Sequence, residues 1–404
     1  MKTGHEAAGG GAPGRRLRML ADLVESTGIP AELVSPDGTK LQAGQGEPAF
    51  RVVVHDESAL TGGLDELALG AAYVDGRLDF EGDRVRMFDV RAHLVDRTPM
   101  AARVQFLLQL LSAVTSMNRK AISFHYDLGD DFYLTFLDRR HRLYSQGHFH
   151  TETETIEEAA EQKLETIYES LQLEPGMRLL DIGAGWGGAT KYFAERGVQI
   201  TALTIADDSY KHVFELTRDL PNAEVRLEDF LEHRPESPYD AIVILGVIEH
   251  IPNYRRFAEQ VSACLAPGGR LYLDASAARE KHDLSAFTRR YIWNGAHTFM
   301  AVQDVVEELL FHGLEVLEVK NESRDYELTM RQWAERFDTA REQIVAGWGE
   351  QVYRAFRIYL WGGCHALGTD GLQAYRVVAR QGPQRGPRPG LLRRARSFAI
   401  SLRG

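Results

Sequence analysis

The sequence predicts an α/β fold in which helices cover both faces of a mostly parallel, doubly wound sheet, and three observations support that prediction. Residues 179–188, LLDIGAGWGG, run an apolar strand directly into a series of glycines. Helical and strand patterns alternate from about residue 159 onward. The run AIVILGVI, residues 241–248, is continuous and apolar, as expected for a strand that is buried on both faces.

The composition is that of a soluble globular protein with more than one domain. The chain has 404 residues, 44% hydrophobic and 26% charged, so two or three domains are expected. No apolar run approaches the roughly 18 residues that span a bilayer, and the N-terminus lacks the apolar segment of a signal peptide. Cys264 and Cys364 are too few for a disulfide framework. These features predict a cytoplasmic protein, and we predict no metal site.

The N-terminal part of the chain is predicted to hold an arm and a small mixed domain. Residues 1–16 are glycine-rich and polar, which predicts a disordered arm. Residues 17–116 form the predicted N-terminal domain, with a boundary near Ser116. Its patterns predict two strands and two helices: strands near 50–55 and 76–81, and helices over 88–95 and 104–114.

The main domain is predicted over residues 117–380. Its alternating patterns predict helices over 159–171 and 190–196, and strands over 178–182, 199–203, 223–227, 241–246 and 270–274. In such a sheet, ligands bind beyond the carboxyl ends of the strands. Residues that directly follow a strand are therefore the candidate site residues.

Residues 381–404 form a basic tail on an acidic body. The net charge is −11, although residues 380–404 hold seven arginines and no acidic residue. Leu391, Ala395, Phe398 and Leu402 recur at helical spacing. The tail fits an amphipathic helix on an anionic membrane surface, and it fits a disordered solubilising segment equally well. The acidic body would repel phosphates, so nucleic acid is not an expected partner.

The glycines after the strand at 178–182 outline a nucleotide cradle. Gly183, Gly185 and Gly187 allow sharp turns and a close approach of the backbone to a ligand. A helix that begins near Ala189 would point its positive N-terminus at that ligand. Glycines that serve packing alone are the alternative.

Residues that follow the next two strands limit which nucleotide ligand can be expected. The second strand ends at Thr204 and not in the acidic residue that a nicotinamide ribose requires, which disfavours a dehydrogenase. Asp229 and Phe230 follow the third strand, and they could accept from an adenine amino group and stack on its ring. An aspartate that caps a helix beside a core phenylalanine is the alternative.

These pieces in this order resemble a class I methyltransferase that uses S-adenosylmethionine. The resemblance extends to the cyclopropane-fatty-acyl-phospholipid synthase family and its mycolic-acid relatives, over roughly residues 50–380. Five segments carry it: LALGAAYVDGRLDFEGD, HYDLGDDFY, LYSQGHF, VIEHI and YELTMRQWAERF.

The resemblance implies a fold and a reaction. The fold would be a seven-stranded Rossmann-like methyltransferase sheet, and residues 17–116 would bind lipid or mediate dimerisation. The enzyme would transfer a methyl carbon to a double bond of an unsaturated fatty acyl phospholipid, through a carbocation that becomes a cyclopropane or a methyl branch. A soluble unsaturated intermediate of specialised metabolism is the alternative substrate, and a non-catalytic binding protein is the alternative class. The family also implies a homodimer, which could lie at the inner membrane surface.

The resemblance also implies residues that hold S-adenosylmethionine. Ser209 stands where the family often has a glutamine. Aromatic faces suit the cations of this chemistry, and the candidates are Tyr144, Phe149, Tyr291, Trp293 and Tyr326, for each of which packing is an equal explanation. The implied cofactor-binding residues are Tyr144, Ser145, Asp181, Gly183, Gly185, Thr204, Ile205, Ser209, Asp229 and Phe230.

The sequence departs from the family where the base is expected. In the family a bicarbonate ion serves as base, held by a Cys, a Glu, a His, an Ile backbone group and a Tyr. Glu249 and Tyr326 match, whereas Gln146 replaces the Cys, Asp274 the His and Ser276 the Ile. A carboxylate at Asp274 would repel an anion, so bicarbonate is doubtful as a cofactor.

Several explanations of these replacements at the bicarbonate site stay open. Either a side chain replaces bicarbonate, with Asp274 as the candidate base, or the cation is resolved by another route. A shift of alignment, or an aspartate that satisfies nearby backbone, would also account for the change. Asn294 replaces a usual proline in a loop that helps to form the acyl channel of relatives, which leaves the substrate open as well.

Overall fold

The computed structural model describes residues 14–61, 63–94, 128–251, 253–279, 285–293 and 297–382. Residues 1–13 of the predicted arm, the predicted helix over 104–114, the boundary near Ser116 and the basic tail from residue 383 lie outside the described residues. The chain divides into two compact units. The first comprises Met1–Val114, Ser285–Gly295 and Ala334–His365, and the second comprises Thr115–Leu284, Ala296–Trp333 and Ala366–Gly404.

The first unit contains a small mixed sheet with strand order β2-β1-β3-β4. Strands β1 and β3 are parallel and the other pairs are antiparallel. The predicted strands near 50–55 and 76–81 are confirmed as β3 and β4. The elements are α1 (Arg15–Glu25), β1 (Ala31–Val34), β2 (Lys40–Ala43), β3 (Phe50–Val54), α2 (Glu66–Val74) and β4 (Leu78–Gly82).

The segment predicted as a helix over 88–95 is a 3₁₀ helix, Arg86–His93. Met87 and Val90 are its buried apolar residues and lie three positions apart. This spacing places both on one side of a three-residue turn, which explains the tighter helix.

Later segments of the chain complete the first unit. Phe287, in α8 (Ala286–Tyr291), packs so closely on Gly70 that a Cβ there would lie 2.5 Å from its ring. The buried Arg354 donates to Tyr73 O at 2.5 Å, and its guanidinium lies 4.3 Å from the Tyr73 ring centre. This packing explains why 285–295 and 334–365 join a unit that the sequence alone limited to residues before 117.

The second unit is built on a seven-stranded sheet with the order β10-β11-β9-β8-β5-β6-β7. Strands β9, β8, β5, β6 and β7 run parallel, and β11 is antiparallel to both of its neighbours. The prediction of a mostly parallel sheet is confirmed. The strands are β5 (Arg178–Ile182), β6 (Gln199–Thr204), β7 (Ala223–Leu227), β8 (Tyr239–Leu245), β9 (Leu265–Ala277), β10 (Leu314–Asn321) and β11 (Gln373–Gln381).

Helices cover both faces of this sheet. Successive residues of β8 alternate between the two cores, with Ile242 and Ile244 on one face and Ala241 and Val243 on the other. The helices of this unit include α3 (Asp130–Tyr133), α4 (Ile156–Leu171), α5 (Gly188–Ala194), α6 (Asp207–Thr217), α7 (Tyr254–Cys264) and α9 (Val302–Phe311). Three further helices follow along the chain: α10 (Ser323–Thr339), which is divided between the two units, α11 (Arg341–Trp348), which belongs to the first unit, and α12 (Glu350–Gly368), most of which belongs to the first unit.

Helix α4 begins three residues before the predicted start because Thr155 and Glu158 form a capping box. The Thr155 N–H donates to Glu158 Oε2 at 2.8 Å. The buried side of helix α4 carries the apolar residues Ala159, Ala160, Leu164 and Ile167, and Lys163 is buried among them. Within the described part of the chain, no helix combines the length and the apolarity needed to cross a bilayer.

Candidate active site at the carboxyl ends of the parallel strands

The glycine loop after β5 is packed on one side and open on the other. Gly183 has a φ of +76°, and a Cβ there would lie 2.5 Å from Val247 Cγ2. Gly185 has a φ of +54°, and the nearest atom to a Cβ there is Gly183 O at 4.0 Å. At Gly188 a Cβ would lie 1.7 Å from His141 O. The open side at Gly185 gives a ligand direct access to the backbone.

Neighbouring side chains hold this loop in place. Asp181 is buried and accepts a hydrogen bond from Thr190 Oγ1 at 2.6 Å, and burial raises its pKa to about 6. Ser209 donates to Gly185 O at 2.7 Å, so the residue that replaces the family's glutamine supports the loop itself. Thr204, buried at the end of β6, accepts from the Ala206 N–H at 3.2 Å, and the half-buried Ile205 follows it.

The contacts of Asp229 and Phe230 agree in part with the alternative given above, an aspartate that caps a turn beside a core phenylalanine. Asp229 accepts from the Leu231 N–H at 2.8 Å, within the turn after β7. Phe230 is buried in the core, 5.9 Å from the ring of Phe257. Their predicted adenine contacts stay a prediction.

Aromatic rings surround Tyr144 next to the glycine loop. Its ring centre lies 5.4 Å from Tyr133, 5.4 Å from Trp333 and 6.0 Å from Trp186. Trp186 belongs to the loop itself, and Tyr326 lies 6.2 Å from Trp333. A cluster of ring faces suits a bound cation such as a sulfonium. Sequence reasoning missed Tyr133, Trp186 and Trp333, although a tryptophan inside a glycine turn is a visible signal.

The other predicted aromatic residues lie elsewhere. Phe149 is half-buried in the second unit, where its N–H donates to Asp325 Oδ1 at 2.8 Å. Tyr291 belongs to the first unit, and its ring lies 4.9 Å from that of Phe287. Trp293 belongs to the first unit too.

A fully buried ion pair joins β9 to α4. Lys163 Nζ lies 2.7 Å from Asp274 Oδ2, and neither side chain is exposed. The same ammonium donates to Ser145 Oγ at 2.6 Å. Burial raises the pKa of Asp274, and the Lys163 charge opposes that rise. Sequence reasoning missed Lys163, although a lysine in the apolar stripe of α4 could have indicated it.

Glu322 is the second buried acid of this region and was also missed. Gln146 Nε2 donates to its Oε2 at 3.0 Å. Ion contacts to its Oε1 come from His148 Nε2 at 3.1 Å and Arg376 Nη1 at 3.3 Å. Burial acts to raise the pKa of Glu322, but these partners outweigh it and hold the pKa at about 2. Gln146 is thus fixed by an acid that lies 176 positions further along the chain.

Glu249 lies in a short turn after β8. Its Oε1 accepts from the Ser276 N–H at 2.9 Å and from Ser276 Oγ at 2.8 Å. Its Oε2 is buried and makes no hydrogen bond to any described residue. Burial, with a smaller effect of the Asp274 charge, raises the pKa of Glu249 to about 7. The structure therefore places Asp274 close enough for its charge to act on Glu249, and the catalytic roles of both residues stay a prediction.

The sequence comparisons agree on one family. The family model described as mycolic acid cyclopropane synthetase matches residues 114–377. The chain is 30% identical to the cyclopropane-fatty-acyl-phospholipid synthase of Escherichia coli K12, over 80% of this chain and 85% of that protein. It is 26% identical to the sphingolipid C9-methyltransferase of Komagataella phaffii, over 76% of this chain and 68% of that protein.

Solved structures show the same similarity. The cyclopropane synthase MmaA2 from Mycobacterium tuberculosis matches with a TM-score of 0.60 and 26% identity, over 65% of this chain and 98% of that one. The mycolic acid cyclopropane synthase CmaA1, complexed with SAH and CTAB, matches with a TM-score of 0.60 and 25% identity over the same shares.

Replacement of Glu249 by glutamine is expected to stabilise the protein at pH 8 but not at pH 5. The carboxyl ionises near 4.5 when unfolded and at about 7 when folded, so stability falls as the pH rises through that window. Glutamine cannot ionise and removes a penalty of roughly 3 kcal/mol at pH 8. Chemical denaturation at both pH values measures this difference.

The exposed Glu236 provides the matched control. Glu236→Gln should change the free energy of unfolding by the same small amount at both pH values. A Glu249→Gln difference that does not vary with pH would contradict a raised pKa at Glu249.

Proposed function

The chain belongs to the mycolic acid cyclopropane synthetase family, and from that premise we propose that it transfers a methyl carbon from S-adenosylmethionine to a carbon–carbon double bond of an unsaturated fatty acyl lipid. The product would be a cyclopropane or a methyl-branched chain. The single observation that carries the proposal is the glycine loop, which is closed against Val247 at Gly183 and open at Gly185.

The residues of the loop and of the aromatic cluster fit S-adenosylmethionine. When bound, this group supplies an electrophilic methyl carbon on a sulfonium. The open backbone at Gly185 would take its polar part, since no side chain occupies that space. The ring faces at Tyr144 and Trp186 would face its positive charge. Ser145 and the other predicted cofactor residues remain proposals at this site.

An acyl lipid is the substrate class that the relatives favour. Their names include a synthase of cyclopropane fatty acyl phospholipids and a sphingolipid methyltransferase. The acyl chain would lie at the carboxyl ends of the parallel strands, near Gln146, Glu249, Asp274 and Tyr326, the residues that the sequence predicts to take part in catalysis. The altered bicarbonate site and Asn294 favour the alternative of a soluble unsaturated substrate, but the relatives do not support it better, and Asn294 lies outside the described residues. Homodimerisation and membrane contact through the basic tail also remain proposals.

Gly185→Val is expected to abolish binding of S-adenosylmethionine, because its side chain would fill the open side of the loop. Isothermal titration calorimetry on the whole chain measures the affinity. Gly176→Val is the matched control, since Gly176 also has a positive φ, of +89°, and open space around its Cβ position. The control should bind as the parent does. Equal affinity in both variants would exclude this loop as the binding site.

Vesicles of unsaturated phospholipid are expected to gain about 14 mass units per modified chain when incubated with the enzyme and S-adenosylmethionine. This gain equals one CH₂, which is the net addition of a methyl carbon after loss of a proton. Mass spectrometry of the extracted lipids measures it. Vesicles of fully saturated phospholipid are the control and should remain unchanged. If no unsaturated lipid gains mass while S-adenosylmethionine still binds, the substrate is a different alkene.

A further inference from the structure

Three buried acceptor atoms of the candidate site have neither a hydrogen bond nor an ion contact among the described residues. They are Gln146 Oε1, Glu249 Oε2 and Asp274 Oδ1. Asp274 Oδ2 and Glu322 Oε1 also lack hydrogen bonds, but each has a cation beside it. All three offer lone pairs and no proton. A bound anion brings mainly lone pairs, and one with a single O–H group, such as bicarbonate, could donate to only one of the three. These atoms suit a species that carries a proton or a positive charge.

The charged residues around these atoms also disfavour a bound anion. Its carboxylates are Glu249, Asp274 and Glu322, and its permanent cations are Lys163 and Arg376. His148 adds a positive charge only when it is protonated. When all three carboxylates are ionised, positive charge does not exceed negative charge here. A second anion would enter at a net electrostatic cost.

Among the described residues, Glu249 is the one carboxylate of the three with no cation in ion-pair contact. Asp274 has the Lys163 ammonium at 2.7 Å, and Glu322 has the Arg376 guanidinium at 3.3 Å. Glu249 receives only neutral donors from Ser276, and both reach the same oxygen. This arrangement fixes the carboxylate plane and leaves Oε2 to accept a proton.

We infer that Glu249 Oε2 is the proton acceptor of the reaction and that the Lys163–Asp274 ion pair is a positioning pair, which keeps a second negative charge next to Glu249 neutralised. The chain thus supplies its own base and needs no external anion. This inference rests on the proposed function.

The position of Glu249 relative to the glycine loop supports the role. Val247, two residues earlier, packs on Gly183. Gly246 packs against the backbone of Tyr144, since a Cβ at Gly246 would lie 3.5 Å from Tyr144 O. Leu245 pairs with Asp274 across β8 and β9. The proposed base therefore follows, within a few residues, the segment that borders the proposed methyl-donor site.

The proposed step balances as follows. After methyl transfer the acyl chain carries a carbocation next to the carbon that holds the new methyl group. Glu249 Oε2 forms an O–H bond with one hydrogen of that methyl group. The electron pair of the broken C–H bond forms the second new C–C bond, which closes the ring and leaves the lipid uncharged. Glu249 then returns the proton to water.

Few other titratable groups face Glu249. Burial lowers the pKa of His250 to about 4, so this neighbour is neutral near pH 7. Burial raises the pKa of Tyr254, in α7, to about 12, so it is neutral too. His297 lies against the His250 ring at 5.4 Å, and Asp274 faces Glu249 from β9. Burial has the largest effect on the pKa of Glu249, and the Asp274 charge acts on it in the same direction with a smaller effect.

The test compares the pH dependence of kcat/KM in the parent, Glu249→Gln and Asp274→Asn, in buffers stripped of bicarbonate. The parent should lose activity below about pH 7 as one group takes up a proton. Glu249→Gln should lose at least about 100-fold in kcat while it still binds S-adenosylmethionine by calorimetry. Asp274→Asn keeps an oxygen that can accept from Lys163 but removes the negative charge, so the Lys163 charge stands beside Glu249 and the acidic limb should move to lower pH.

A second readout does not depend on turnover. Carbon NMR of ¹³C-labelled glutamate side chains, with Glu249→Gln to assign the signal, should show Glu249 titrating near pH 7 in the parent and lower in Asp274→Asn. If no lipid is modified but this titration and its shift are seen, the proposed substrate is wrong and the assignment of the proton acceptor stands.

Three results would overturn the inference. One is a parent enzyme that works only when bicarbonate is added. Another is an Asp274→Asn variant that loses activity at every pH while Glu249→Gln retains it, which would make Asp274 the base. The third is a Glu249 signal that titrates near pH 4.5 in the parent, as an ordinary glutamate does.

Discussion

The buried ion pair between Lys163 and Asp274 is the interaction on which the rest of this site depends. Both charges are withdrawn from water, and loss of either partner would leave the other unpaired at a cost of about 3–5 kcal/mol. The pair fixes helix α4 against the centre of the sheet. Because the same ammonium reaches Ser145, it also holds the segment that carries Tyr144 and Gln146. This ion pair thus helps to position Asp274, among the proposed catalytic residues, and Tyr144, among the proposed cofactor-binding residues.

The part of the site proposed to bind S-adenosylmethionine is held in place by a different contact. Trp186 projects from the glycine loop into the ring cluster, and its Nε1 donates to Asp130 Oδ1 at 2.9 Å. Asp130 in turn lies 3.3 Å from His212 of α6. The loop is therefore tied at once to α3 and to the helix that follows β6. A loop held at both ends has little freedom to collapse into its own open side, which preserves access to the backbone at Gly185.

The parts of this structure that could be predicted from sequence are the local ones. The strand and turn at 178–188 follow from a short apolar run and from glycines whose positive φ values exclude other residues. The start of α4 could have been placed from its capping box. The hydrogen bond between Gln146 and Glu322 could not be predicted, because 176 positions separate the two residues and only the tertiary fold brings them together. The composition of the first unit depends in the same way on Arg354 reaching Tyr73, 281 positions away.

The departures from the family pattern make sense as a set. Asp274 has a buried cation in Lys163, Ser276 has a buried acid in Glu249, and Gln146 has a buried acid in Glu322. Each of the three residues thus has a buried partner of complementary chemistry. Loss of Asp274 alone would leave the Lys163 charge unpaired inside the protein. Loss of the Ser276 side chain would remove one of the two donors to Glu249 Oε1. The three departures are therefore linked through buried partners to the two acids Glu249 and Glu322 and to Lys163, which supports a site organised differently from the family pattern.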